Sequence, residues 1–271
     1  MATNEIQPVP ADTALGPLLK DTLHYCFLGS LCPLIPLPFL DDWALNFMQR
    51  KLILKAGQRR SVPLSETDLK LLTQGYEEPH GCLLNLILMP VNMIGIMIIR
   101  PSKRLLRKFT IVLAVKEAAD MFSRFLHHAV LTDYAAHKGY LDPPIEATSS
   151  DARTAAKNRQ EQLLRVSRAV NIACNRMDTR PINQAIRRVL AGSRTLIAVS
   201  LTAFTGWIRK ARRAMQKGQR FDEEFDQRIS AGDQKLEFLI QQLTAELVLR
   251  ADYFDQVLRS FETQYAAQNQ E

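Results

Sequence analysis

Four side chains capable of acid–base or metal-binding chemistry share one predicted helix: Glu117, Asp120, Arg124 and His128. Their separations of three, four and four residues place them on the same helical face. Carboxylate and imidazole groups on one face can bind a metal ion or transfer protons. A di-iron helical bundle needs E-x-x-H elements on two helices, which this sequence does not provide. We therefore interpret the four residues as a polar helix face, and a helical enzyme using the Glu117–His137 face as the least favoured hypothesis.

The rest of the sequence lacks the common motifs of catalysis and of cofactor binding. It contains no glycine-rich phosphate loop, no G-x-S-x-G, no H-E-x-x-H and no paired-cysteine metal knuckle. The four cysteines are scattered along the chain, which favours reduced thiols over a disulfide framework. We therefore predict no metal site and no cofactor, and we favour a non-enzymatic role.

Basic side chains are concentrated in the middle of the chain. Residues 100–220 hold 24 basic and 8 acidic side chains, a net charge of +16, whereas residues 221–271 hold 4 basic and 11 acidic side chains, a net charge of −7. A basic segment of this kind favours an anionic partner, either a membrane face or a nucleic acid. Pairing with the acidic C-terminal segment of the same chain is the alternative.

Two basic clusters directly follow an uncharged apolar run, a pattern typical of segments that lie at an anionic membrane surface. Trp207 adds an aromatic ring at the end of the second run, where interfacial helices commonly place one. The candidate residues for binding a membrane and its phosphates are Arg100, Lys103, Arg104, Arg107, Lys108, Trp207, Arg209, Lys210, Arg212 and Arg213. A buried helix followed by a solvated basic turn is the alternative interpretation.

The longest apolar run covers residues 82–99, which contain no charged side chain. Its length reaches the lower limit for a membrane-spanning helix, and the basic residues after it would mark the cytoplasmic side. Asn85, Asn92, Pro90 and Gly95 interrupt the run and argue against a span. Three interpretations stay open: a buried core helix, a membrane-spanning helix, and an interfacial or re-entrant segment.

Two other apolar runs are shorter or broken. Residues 26–40 contain Pro33, Pro36 and Pro38, which a continuous helix cannot accommodate, so we predict an apolar corner between two helices. This corner either packs under neighbouring helices or contacts the bilayer interface. Residues 195–208 are uncharged, but fourteen residues are too few to span a bilayer comfortably.

The elements that must position these groups are predicted to be helices. Apolar residues recur with a period near 3.6 over residues 102–137 and 151–176. The stretch from Ser65 to Asp68 is a capping signature that starts a short helix. No run of residues shows the alternation and turn signals of a β-strand.

The C-terminal segment has a slightly different period. From Phe225 to Phe261 the apolar residues recur about every 3.5 positions, with Arg250 at one faulty position. This spacing predicts a long helix packed against a partner helix, within the chain or in a second copy. The whole pattern predicts an all-α, multi-helix bundle with a hydrophobic central helix and a long, coiled-coil-like C-terminal helix.

Composition divides the chain into four segments. Three prolines and a polar composition favour disorder at the N-terminus. The absence of a cationic residue there argues against a signal or transit peptide. The predicted organisation is a disordered lead-in at 1–17, a hydrophobic helical domain at 18–142, a linker at 143–151, and a basic helical region at 152–271 that ends in an acidic heptad helix at 221–265.

The favoured hypothesis is a non-enzymatic helical protein at the cytoplasmic face of a membrane. Its apolar runs contact lipid, its basic clusters bind anionic headgroups, and its C-terminal helix offers a surface to a helical partner or to a second copy of the chain. The alternative is a soluble basic protein that binds nucleic acid through residues 153–220. Few aromatic residues accompany the arginines there, which weakens the nucleic-acid hypothesis.

Overall fold

The computed structural model describes residues 11–35, 40–73, 103–143, 152–216, 226–227 and 234–268. Within these ranges the chain forms nine α-helices and no β-strand, so the predicted all-α fold class is confirmed. The helices are α1 (Ala11–Ser30), α2 (Leu40–Arg59), α3 (Glu66–Thr73), α4 (Lys103–His137), α5 (Ala152–Arg176), α6 (Arg180–Gly192), α7 (Arg194–Gln216), α8 (Gln234–Val248) and α9 (Ala251–Ala267).

Helix α4 occupies the centre of the fold. It packs against α1, α2, α5, α6 and α9. Every residue from Phe125 to Asp133 is buried. Because this part of α4 has no solvent-facing side, its polar side chains need partners inside the protein.

Glycine allows α1 to approach α4 closely. A Cβ atom at Gly29 would lie 2.6 Å from the ring of Phe125, which is fully buried. The missing side chain at Gly29 therefore makes room for the phenyl ring at the crossing of the two helices.

Helix α4 ends close to the glycine at which the sequence predicts its end. Gly139 has a φ of +76°, a left-handed conformation that glycine adopts without strain. The Tyr140 N–H donates to the Ala135 carbonyl oxygen at 2.9 Å, and the Gly139 N–H donates to the Ala136 carbonyl oxygen at 3.1 Å. These two bonds form a Schellman motif, which satisfies the last carbonyl groups of the helix.

The predicted disordered lead-in at 1–17 needs a correction, because α1 already begins at Ala11. Pro17 lies inside this helix and removes one backbone hydrogen-bond donor. Leu15 and Leu19 are buried in the core, and their burial stabilises the helix across the proline. Tertiary packing thus overrides the local effect of Pro17. The residues before Ala11 lie outside the described part of the chain.

The apolar corner after α1 is packed as far as it is described. A short 3-10 turn at Cys32–Leu34 follows α1, and Leu31, Cys32 and Ile35 are all buried. Of the two alternatives for this corner, the structure shows packing under neighbouring helices for this part, and the next four residues lie outside the described ranges.

The capping signature before α3 is confirmed in atomic detail. The Asp68 N–H donates to the Ser65 hydroxyl oxygen at 3.1 Å, and the Ser65 N–H donates to the Asp68 carboxylate at 3.1 Å. Each residue thereby satisfies a backbone group of the other, as in a capping box.

The C-terminal segment differs from the single helix predicted at 221–265. The structure contains two helices, α8 and α9, which are separated by a turn at Leu249 and Arg250. The Arg250 side chain bonds to the Glu246 carbonyl oxygen at 2.6 Å and so holds the end of α8. The faulty seam position in the sequence is therefore the position of the break. One uninterrupted coiled-coil-like helix is not confirmed.

The apolar seam itself is buried within the chain. Most of its members are in the core, including Ile240, Leu243, Phe254 and Phe261. Helix α8 packs against α1 and α6, whereas α9 packs mainly against α5. The partner helices that the spacing predicts are thus supplied by the same chain.

Two further sequence predictions are not tested by the described residues. The apolar run at 82–99 lies outside them, and so does most of the linker at 143–151. Buried side chains from Leu15 to Phe261 belong to one core cluster. The division of the chain into two helical regions stays a prediction.

Candidate functional site

The acidic members of the predicted polar face on α4 lie in different surroundings. The Glu117 residue as a whole is exposed. Its carboxyl group is nevertheless partly desolvated by its surroundings, and this desolvation, followed by the charge of Asp120, raises its pKa above the ordinary value. Asp120 accepts hydrogen bonds from the Asn183 amide at 2.8 Å and from the Arg187 guanidinium at 2.6 Å. Asp120 therefore joins α4 to α6 in this structure.

The two adjacent histidines of α4 are buried and electrically neutral near pH 7. Burial lowers the pKa of His127 to about 4. Burial, followed by the positive charge of Arg124 and, in acid, that of His127, lowers the pKa of His128 to about 3. The Nε2 atom of His127 lies 2.8 Å from the hydroxyl oxygen of Tyr253, a hydrogen bond that joins α4 to α9.

A buried carboxylate completes the polar contacts of α4. Asp133 is 3% exposed and accepts two hydrogen bonds from Arg60, from Nε at 3.1 Å and from Nη2 at 2.5 Å. The Nε atom of Arg59 lies 3.6 Å from the same carboxylate. These contacts attach the end of α2 to α4, because a buried carboxylate is stable only when it is paired.

The polar residues of α4 therefore do not converge on one open site. Asp120 bonds to α6, His127 bonds to α9 and Asp133 bonds to Arg60 at the end of α2. The two imidazoles have little contact with solvent. Within the described ranges, no group of three or more His, Cys, Asp or Glu side chains could hold a metal ion. The geometry fits a set of helix-to-helix contacts better than it fits a catalytic centre.

Helix α7 has two faces of different character. It follows α6 after a bend of 91° and makes its main contacts with α2 and α6. Its inner face buries Ile197, Phe204, Ile208 and Ala211. The half-buried Trp207 stacks against Phe204, with ring centroids 6.3 Å apart.

The outer face of α7 is exposed along its whole length. The positions recur at helical spacing and comprise Thr195, Ala198, Val199, Thr202, Ala203, Gly206, Arg209, Lys210 and Arg213. The first six carry no charge, whereas the last three are cationic. Arg212 is half-buried beside them. We refer to these nine exposed positions as the α7 outer face.

An apolar cleft adjoins this face at its N-terminal end. The cleft has a volume of about 460 Å³ and lies between the corner of α6 and α7 and the first turns of α8. Leu196, Val199 and Phe238 line its apolar part, and Lys235 lies among the lining residues. Val199 is 58% exposed and Phe238 is 61% exposed, so two large apolar side chains face solvent at this cleft.

The first basic cluster of the sequence can be located only in part. Arg100 lies outside the described residues, whereas Lys103, Arg104, Arg107 and Lys108 belong to the first turns of α4. The second cluster is better defined, because Arg209, Lys210, Arg212 and Arg213 all lie on α7. The two clusters are thus carried by different helices.

A further cationic group, which lies on α2 and faces α1, was not identified from the sequence. Lys51 and Lys55 of α2, together with Tyr25 of α1, contact the carboxylate of Asp226. The spacing of the two lysines by four residues was a visible signal. Their partner is 175 residues from Lys51 in sequence, so only the folded chain brings the group together.

Comparisons with known proteins provide no assignment: no family model, no curated protein and no solved structure matches this chain. Among the described helices, none is by itself long and apolar enough to cross a membrane. Helix α6 and residues 195–214 of α7 meet that requirement in length and composition only when they are taken together across their bend.

Proposed function

We propose that this protein is a non-enzymatic, membrane-associated helical protein that binds anionic lipid through the α7 outer face. The observation that carries the proposal is the order of side chains on this face. Six exposed uncharged positions precede Arg209, Lys210 and Arg213 on the same side of one helix. An interfacial helix places its uncharged part toward the acyl boundary while its cations contact lipid phosphates. Val199 is the large apolar side chain among the six uncharged positions.

Arg209 and Arg213 of α7 differ from other cations of the basic region. Arg159 of α5 donates to the carbonyl oxygens of Leu141 and Asp142, at 2.6 and 2.7 Å. Arg187 of α6 is paired with Asp120. Within the described ranges, Arg209 and Arg213 form no such ion pair and project from an exposed face. These two cations are therefore the better candidates for an external anion.

The apolar cleft supports the same proposal. Val199 and Phe238 lie at the N-terminal end of the α7 outer face, where their exposed surface is available to acyl chains. Insertion of these side chains would remove apolar area from water, which favours binding by about 25 cal/mol per Å². Apolar insertion and headgroup attraction would then act along the same helix.

Vesicle co-sedimentation tests the proposal. We expect the full chain to bind vesicles that contain phosphatidylglycerol and to ignore vesicles of phosphatidylcholine alone. Each cation near an anionic surface contributes about 1 kcal/mol, and each glutamate adds repulsion. The triple substitution Arg209→Glu, Lys210→Glu and Arg213→Glu should therefore weaken binding by at least about a hundredfold. Equal binding of this variant and the natural chain would overturn the proposal.

A matched control separates a local site from overall charge. Arg153→Glu, Arg168→Glu and Arg259→Glu change the net charge by the same amount at exposed positions of α5 and α9. This control should retain most of the vesicle binding. If both triple variants lose binding equally, the attraction comes from net charge. If the chain instead binds duplex nucleic acid with a steep salt dependence, the hypothesis of nucleic-acid binding through 153–220 replaces this one.

The apolar run at 82–99 enters the proposal as a second lipid contact of the same protein. Fractionation of expressing cells distinguishes its contribution from that of α7. Release from the membrane pellet by high salt would indicate that cations provide the attachment, as the α7 outer face requires. Resistance to both high salt and carbonate would indicate that 82–99 inserts into the bilayer. Recovery only in the soluble fraction would contradict membrane association.

A further inference from the structure

The carboxylate of Asp226 is surrounded by three donors from α1 and α2. The Tyr25 hydroxyl donates to Oδ1 at 2.9 Å, and Nζ of Lys51 lies 3.5 Å from the same oxygen. Nζ of Lys55 lies 3.1 Å from Oδ2. Both carboxylate oxygens are thus engaged by groups that carry positive charge or an O–H bond.

The donors are held in place by the packing of α1 against α2. Lys51 is 3% exposed, and its Nζ lies 5.9 Å from the ring centroid of Phe47. Nζ of Lys55 lies 5.9 Å from the ring centroid of Tyr25. Each ammonium group therefore also has an aromatic ring within cation–π distance. The Lys55 side chain is 28% exposed, so the site has an opening to solvent.

The anion comes from a different part of the chain. Asp226 lies between α7 and α8, far in sequence from the two helices that supply the donors. His24, which precedes Tyr25 on α1, has a similar arrangement, because its Nε2 atom lies 3.2 Å from the carboxylate of Glu237. Two carboxylates of the acidic C-terminal region therefore lie against the α1 and α2 surface.

We propose that Tyr25, Lys51 and Lys55 form a binding site for phosphate-class anions, and that Asp226 occupies this site as an internal ligand. A phosphate monoester offers three acceptor oxygens and a charge of about −1.5 to −2, against −1 for a carboxylate. It can accept bonds from all three donors at once. This site lies on α1 and α2 rather than on the α7 outer face, so it goes beyond the function proposed above.

The substitution Asp226→Asn tests the site, because it removes the internal charge and keeps the side-chain volume. We expect Asp226→Asn to unfold at a lower temperature than the natural chain in sodium chloride. Sodium phosphate at equal ionic strength should raise its unfolding temperature, since a ligand that binds the folded state stabilises it. The affinity for inorganic phosphate should be at least about tenfold higher in Asp226→Asn than in the natural chain, a difference of about 1.4 kcal/mol.

Adding Lys51→Met to Asp226→Asn provides the matched control. The methionine keeps the apolar stem of the side chain and removes the ammonium group, so the response to phosphate should disappear. An equal response to phosphate and chloride in Asp226→Asn would show that the Asp226 contacts are only structural. A phosphate response that persists in the double variant would place the anion elsewhere.

A second variant keeps the proposal testable if Asp226→Asn does not fold. Lys55 is partly exposed, so Lys55→Gln is expected to fold. Titration of the natural chain with inorganic phosphate, followed by phosphorus NMR, should show binding that Lys55→Gln weakens at least about fivefold, a difference of about 1 kcal/mol. Identical titrations of the two chains would overturn the proposal.

The source of the anion is decided with vesicles of phosphatidic acid and phosphatidylcholine. The assay uses the triple α7 variant, so that failure of the α7 proposal does not affect it. Greater vesicle binding after addition of Asp226→Asn would identify a lipid headgroup as the ligand. Unchanged vesicle binding with a persistent response to inorganic phosphate would identify a free phosphate compound.

Discussion

The surroundings of α4 and the α7 outer face carry similar charged and polar groups in opposite environments. At α4, Asp133 is buried and paired with Arg60, and His127 is buried and bonded to Tyr253. On α7, Arg209 and Arg213 face solvent. A charged group between packed helices must be paired to be stable, whereas an exposed one can bind an external partner. Exposure, more than residue type, therefore separates the two regions.

The largest expected effect concerns pH and the two histidines of α4. The unfolded chain gains protons on both histidines below about pH 6.5, whereas the folded chain does so only near pH 4 and pH 3. Because the unfolded state binds more protons in this window, the free energy of unfolding falls as pH falls from about 6.5 toward 4. The pair should contribute a loss on the order of 5 kcal/mol between pH 7 and pH 4.5.

Urea unfolding at several pH values measures this loss. The combined substitution His127→Gln and His128→Gln should make the free energy of unfolding clearly less dependent on pH in this window. His137→Gln, at an exposed position of the same helix, controls for replacing a histidine. If the double substitution leaves the pH dependence unchanged, the two imidazoles are accessible to solvent in the folded chain, and they would no longer contrast with the exposed cations of α7.

A somewhat smaller effect is expected for the buried carboxylate. Asp133→Asn should lower the free energy of unfolding by about 3 kcal/mol, because Arg59 and Arg60 lose their common negative partner. Asp178→Asn is the matched control, since it breaks the exposed pair between Asp178 and Arg180. We expect no measurable change in the control. Equal losses in the two variants would contradict the distinction between buried and exposed charges.

The smallest effect on the free energy of unfolding is expected for the exposed cations of α7. Arg209→Glu, Lys210→Glu and Arg213→Glu together should change the free energy of unfolding by less than about 1 kcal/mol, as is usual for exposed positions. The same variant is expected to lose vesicle binding. A large loss of stability in urea unfolding would mean that these cations belong to the fold, and the two regions would no longer differ.

Local signals in the sequence predict much of the helical framework correctly. The bonds between Ser65 and Asp68 follow directly from the chemistry of a capping box. The end of α4 near Gly139 follows from the ability of glycine to adopt a positive φ. Such features depend on a few neighbouring residues, so they can be predicted without knowledge of the fold.

Predictions that depended on longer segments were less accurate. The heptad spacing correctly indicates which C-terminal residues are buried, but the chain breaks near Arg250 and continues as a second helix. Proline content suggested disorder up to residue 17, although Leu15 and Leu19 pack in the core. Periodicity reports which side of a segment is apolar, whereas the length of a helix also depends on what it packs against.

The features of the candidate site also differ in whether the sequence predicts them. The uncharged run and the basic cluster of α7 are visible in the sequence, because they are contiguous. The contacts of the polar residues on α4 are not visible there, because Asn183 of α6, Tyr253 of α9 and Arg60 after α2 are distant in sequence from Asp120, His127 and Asp133. The group around Asp226 is equally hidden, since its donors come from α1 and α2.

Composition and spacing alone establish an all-helical chain with a basic middle and apolar segments beside cationic clusters. Tertiary structure alone establishes which polar groups are enclosed and which face water. The physical reason is that helix formation depends on interactions between residues three or four apart, whereas burial depends on contacts between residues far apart in sequence. Charge is a property of a residue, but its availability to a partner is a property of the fold.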